Sequence, residues 1–171
     1  DYIKQQAGSE RIQHLLSQHG TEKELADALV AQARENQFDF LIIASHDGKI
    51  IASSTDSARN GLVPDTFVTR QARTGVATAE YEVLSTSQLA AISPSLANRA
   101  RIDLLENDAP DETRGLFVNF AVHFPLTTRH QDAILFGGIL LNRNSGLIDH
   151  IRDIVFPVNP QMGTVAGSTT I

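Results

Sequence analysis

At 171 residues the chain is long enough to bury about two-thirds of its unfolded surface around one core, and its 42% hydrophobic and 20% charged content is that of a globular domain. A formal net charge of -6 with scattered Lys and Arg argues against a nucleic-acid partner, and the absence of cysteine excludes disulfides, thiolate zinc sites, CxxCH haem attachment and thiol nucleophiles. No apolar run reaches the roughly 18–20 residues of a membrane helix, and no signal peptide is recognisable at the start.

Asp1–Gln18 places Ile3, Ala7, Ile12, Leu15 and Leu16 near helical spacing, with Gly20 as a stop. Thr21-Glu22-Lys23-Glu24 is a capping-box pattern that opens a second helix, with an apolar stripe of Leu25, Ala28, Leu29 and Ala33 and an end near Asn36. Residues 1–36 therefore predict a long N-terminal helical element.

Phe38–Ser54 holds two strand-like runs around Asp47-Gly48, a strong hairpin signal. Thr55–Pro64 reads as a loop, with Pro64 in the first turn of a short helix over Asp65–Thr74 that Gly75 closes. Ala77–Leu84 is a predicted strand containing Tyr81. Ser85–Ala100 divides into two short helical turns at Ser93-Pro94, because the residue before proline resists the helical region. A short edge strand at Ile102–Leu105 and a charged loop at Glu106–Thr113 follow.

Gly115–Arg143 reads as two long apolar strands joined by a polar, basic turn. A period of two puts Leu116, Val118, Phe120, Val122 and Phe124 on one face of the first strand, and Phe117, Asn119, Ala121 and His123 on the other. The wholly apolar face predicts a core, and the face with single polar groups predicts a pocket. Gly137-Gly138 within the second strand predicts a bulge or a close backbone approach. Ser145–Val155 carries Leu147, Ile148, Ile151, Ile154 and Val155 at helical spacing, and Pro157 ends it. The expected fold class is α+β: an antiparallel sheet of about five strands with helices on its faces.

Several segments give this order a family resemblance. FDFLIIASHDGKIIASS resembles the opening strand pair of Cache modules, the PAS-like extracytoplasmic sensor domains of bacterial transmembrane receptors. ISPSLANRARIDLL, ETRG and GGILLNRNSGLIDHIRDIVF are similar to the membrane-distal half of double-Cache receptors. The resemblance implies a sensor module over residues 37–156 and the truncated start of a second module, or a tail, over 157–171. A chain that opens at Asp1 without Met and ends at Ile171 in mid-pattern fits an excised piece. It also implies location in the periplasm or outside the cell, and a small-molecule ligand, carboxylate or another anion. The output would be that of a histidine kinase, chemoreceptor or cyclic-dinucleotide enzyme.

Six residues are candidate ligand contacts, each with a plainer alternative. Asn119 and His123 point the same way from one strand, into a pocket or into a hydrogen-bonded core. Arg70, three residues before Arg73 on the short helix, supplies the planar guanidinium an anion clamp needs, or a solvated charge. The family's basic helix residues imply the first role for Arg70. Tyr81 offers an aromatic wall with a hydroxyl, or packing surface. Arg99 and Arg101 flank Ala100 and would share a side in an extended segment, reaching a pocket or pairing with the acidic loop Glu106–Glu112. Arg143 reads as a tie to the exit helix.

No HExxH, GxSxG, GxxxxGK[ST] or GxGxxG occurs, so no metal, cofactor or catalytic residue is assigned and no reaction is expected of this part. The other reading is a dimerisation or protein-interaction module, pairing with a second copy through the helix over 1–36.

Overall fold

The computed structural model describes residues 14, 21–56, 61–102, 111–125, 132–142 and 146. Helix α1 spans Glu22–Glu35, and its start is the expected capping box: Thr21 Oγ1 accepts from Glu24 N at 3.3 Å, while Glu24 Oε2 accepts from Thr21 N at 2.8 Å. Leu25, Ala28, Leu29 and Ala33 form its buried stripe. Of the predicted helix ahead of it only His14 is described, in a helical conformation, so the long N-terminal element is not shown.

Strands β1 (Phe40–Ser45) and β2 (Ile50–Ser53) form the expected antiparallel hairpin, with a register shift at Ile43/Ala44. Gly48 takes φ 88, a conformation costly for any side chain with a Cβ, while its N–H donates to Ser45 O at 2.8 Å. Helix α2 spans Phe67–Arg73 and is capped by Thr66, so Pro64 lies before the helix and not in its first turn. Strand β3 (Thr78–Leu84) follows. Helices α3 (Thr86–Ile92) and α4 (Pro94–Ala100) divide at Ser93-Pro94 as predicted. Of the expected edge strand, only Ile102 is described, in an isolated bridge to Glu112.

Strands β4 (Gly115–Pro125) and β5 (Asp132–Leu140) complete a five-stranded, wholly antiparallel sheet in the order β2-β1-β5-β4-β3. The fold is α+β, as the sequence predicts. The pairing of β4 with β5 runs through Gly137 and Gly138 with no bulge. Both glycines instead admit side chains: a Cβ at Gly138 would overlap Asn119 and the Phe40 ring, and one at Gly137 would overlap Leu41 and Phe120.

Each face of the sheet has its own core. On one face Phe40, Ile42, Phe117, Ala121, Ile134 and Phe136 pack under α2, α3 and α4, which contribute Val68, Ala72, Leu89, Ile92 and Leu96. Phe40 sits at the centre, with ring centroids 6.0 Å from Phe117 and 4.9 Å from Phe136. On the other face α1 packs on β1 and β2, burying Leu29 against Leu41 and Ile43.

This arrangement reverses the expected roles of the two sides of β4. Phe117, Asn119 and Ala121 are fully buried, whereas Leu116, Val118, Phe120 and Val122 are only half-buried. Three helices cover the first set, while α1 lies over the far half of the sheet from the second. Of the exit helix only Gly146 is described, in a helical conformation, and the basic turn after β4 and the 157–171 tail lie outside the described residues.

Candidate functional site

Asn119 enters the helical side of the sheet at the centre of β4 and is completely buried. Its Nδ2 donates to Glu82 Oε2 at 2.8 Å. Glu82 on β3 accepts through its other oxygen from Phe67 N at 2.7 Å and Val68 N at 3.4 Å, so one carboxylate joins β4 to the start of α2. A carboxylate is favoured at that helix end because the first N–H groups have no partner within the helix. Asn119 Oδ1 finds no hydrogen-bond donor and rests over Gly138.

His123, four residues further along, points to the same side and places Nε2 3.2 Å from Asp132 Oδ2. Asp132 opens β5, and its carbonyl accepts from His46 N at 3.0 Å. Here, at the turn end of the β1–β2 hairpin, Ser45, His46, Asp47, Lys49, Ile50, Ile51 and Asp132 line a cleft of about 680 Å³. The Asp-Gly turn positions most of this wall. Ser45 Oγ donates to Asp47 Oδ1 and Lys49 N donates to Ser45 Oγ at 3.2 Å. The Ser45 hydrogen bond holds the Asp47 carboxyl below its ordinary pKa. His46 and Lys49 stand exposed beside it. The cleft thus presents an ammonium, an imidazole and two carboxylates around the apolar Ile50 and Ile51.

The six predicted residues do not converge on one place. Asn119 and His123 share a face of β4, as the period-two pattern requires, and His123 reaches the cleft through Asp132. Tyr81 is paired with Val118, so it occupies the opposite face and is 74% exposed. Arg70 Nη1 lies 3.3 Å from Asp65 Oδ2, and Arg73 Nη1 lies 3.9 Å from the other oxygen of that carboxylate. The two arginines do share a face, gathered around an anion that the chain itself supplies.

Arg99 belongs to α4 and Arg101 is the residue after it, so the extended segment expected for the pair is absent. Arg99 Nη2 is 2.5 Å from Asp39 Oδ1, and Arg101 pairs with Asp111. Arg101 therefore adopts the ion-pairing alternative, whereas Arg99 finds its partner sixty residues away at the start of β1. Arg143 lies outside the described residues.

Sequence reasoning missed Glu82, Asp132, His46 and Lys49. The last two stand in HDGK, whose hairpin signal hides their chemistry. Asp132 carries no local pattern, because its partner His123 comes from another strand. Among the described residues no group of three His, Asp or Glu could hold a metal, and no helix is long and apolar enough to cross a membrane. No family model matches this chain, and no curated protein matches it in sequence.

Proposed function

We propose that the chain is the extracytoplasmic ligand-binding module of a transmembrane signalling receptor, and that it recognises a small polar, anionic ligand at the hairpin cleft. The observation that carries this reading is the cleft's composition. Lys49 and His46 offer donors to a carboxylate or an inorganic anion beside Ile50 and Ile51, and Asp132 links the cleft to His123 of β4. The five-stranded antiparallel sheet with small helices on one face is compatible with the PAS-like architecture that the Cache resemblance implies.

A ligand on Lys49 and His46 would act on Asp132, and through it on the two central strands. Differential affinity for two arrangements of those strands is sufficient to bias an output outside the module. Neither binding nor signalling requires a bond to be made or broken in this part.

A thermal-stability screen of the purified chain against carboxylates, amino acids and inorganic anions tests the proposal. A ligand at about 100 times its Kd stabilises the native state by roughly 2.7 kcal/mol, an easily read upward shift in Tm. Lys49→Ala should abolish that shift while leaving the unliganded Tm nearly unchanged. Absence of a shift with every class, or a shift indifferent to Lys49→Ala, contradicts the reading.

A further inference from the structure

The outer edge of β3 has the properties of a docking strand. Among the described residues it is the last strand of the sheet, and it pairs without interruption from Thr78↔Ala121 to Leu84↔Gly115, so no bulge blunts it. Its sequence, TAEYEVL, contains no Lys, Pro or Gly, the residues that commonly protect such edges.

The backbone direction follows from β4. Leu116 O accepts from Leu141 N at 2.8 Å and Leu116 N donates to Asn142 Oδ1 at 2.7 Å, so the polar groups of Leu116 point away from β3. Antiparallel pairing alternates, so Phe117, Asn119 and Ala121 turn theirs toward β3, onto their partners Glu82, Glu80 and Thr78. The N–H and C=O groups of Ala79, Tyr81 and Val83 are therefore the ones directed outward from the sheet. The same three residues carry an apolar row on the face away from α2, with Tyr81 74% and Val83 57% exposed.

We infer that this edge binds an extended protein segment, antiparallel to β3, in which apolar residues oppose Ala79, Tyr81 and Val83 and a basic residue opposes Glu80. Charge selects the occupant. Glu82 is committed to Phe67 N, Val68 N and Asn119 Nδ2, whereas Glu80 is exposed with no partner among the described residues. Positions 80 and 82 fall at the non-hydrogen-bonded pairs of the new ladder, where opposing side chains are closest, so a Lys or Arg there meets the Glu80 carboxylate directly. A second copy of this chain fits worse. Two-fold pairing centred on Tyr81, the register with greatest overlap, sets Glu80 against Glu82 of the other copy, and like charges directly opposite are destabilising.

Two peptides of the same length as β3, one alternating Val with Lys and the other Val with Glu, serve as probes. The Val/Lys peptide should bind saturably to the whole chain and slow amide exchange at Ala79, Tyr81 and Val83 while leaving Thr78, Glu80 and Glu82 unchanged. Glu80→Lys, an exposed substitution that leaves the β4 ladder intact, should weaken the Val/Lys peptide by about fivefold and strengthen the Val/Glu peptide, as reversing one cross-strand charge pair requires. No saturable binding, binding without protection at those three amides, or indifference to Glu80→Lys overturns the inference. So does self-association without peptide that protects the same amides, which would assign the edge to a second copy.

Discussion

Asn119 is the residue whose surroundings the sequence describes least. Period-two spacing places it with Phe117 and Ala121, but its donor goes to Glu82, thirty-seven residues away, and its carbonyl oxygen rests on Gly138 with no donor. Asn119→Ala should cost about 1–3 kcal/mol in chemical denaturation, the range for losing a buried hydrogen bond. Asn119→Asp should cost more, because it sets a second carboxylate against Glu82 in a dry site. Gly138→Ala should cost about 1–3 kcal/mol through crowding of Asn119 and Phe40. Combined with Asn119→Ala it should cost less than the sum, since the alanine vacates the crowded space. Additive costs would show that Asn119 does not fill the space over Gly138.

Glu112 gives a separate prediction. Hydrogen bonds from the Arg114 side chain and backbone hold its carboxyl pKa at about 2, from an ordinary 4.5. A depressed folded-state pKa contributes stability that is fully present above 4.5 and is lost as pH falls through 2. Glu112→Gln should therefore flatten the acid limb of the stability curve between those two values and leave its shape above pH 5 unchanged, a comparison that denaturant midpoints across pH would make.

At the scale of single elements, local chemistry was readable wherever it acted over a few residues. Asp47-Gly48 marks the hairpin, Ser93-Pro94 the break between α3 and α4, and Thr21-Glu24 the start of α1, each because one residue's backbone preference or one short-range hydrogen bond decides the outcome. Ser85 and Gln88 form a further capping box at α3, which the reading of the sequence did not single out. Thr21→Ala should destabilise by about 1 kcal/mol, and loss of amide protection should begin in the first turn of α1. An unchanged denaturant midpoint would show that α1 is held by its Leu25–Ala33 stripe alone.

At the scale of the whole molecule, the two faces of β4 show why the candidate site was less legible than the fold. Both faces alternate cleanly and both are largely apolar, so the one-dimensional pattern cannot tell which receives three helices and which borders α1. The arginines' ion pairs follow the same logic. Their partners Asp65, Asp39 and Asp111 are set by the packing of α2, α4 and the strands, and each guanidinium meets a carboxylate that the chain supplies.

Asp39 makes the clearest long-range tie. It accepts from Arg99 with one oxygen and from Leu140 N at 2.6 Å with the other, joining β1, β5 and α4. Asp39→Ala should cost about 1–3 kcal/mol, because it leaves a β5 backbone donor without its carboxylate. Arg99→Ala should cost about 0–1 kcal/mol, since that side chain is mostly exposed and its pairing is screened. Equal losses would show that the ion pair, not the backbone hydrogen bond, holds the end of the sheet.

The central claim is that a small anionic ligand occupies the cleft between the hairpin and the start of β5. Backbone amide NMR during titration with the ligand giving the largest thermal shift tests it most directly. Binding there should produce saturable changes centred on Ser45–Ile51 and Asp132, with a secondary response at His123. Changes confined to Arg70, Arg99 and Arg101, or none at a concentration that saturates the thermal shift, would contradict it.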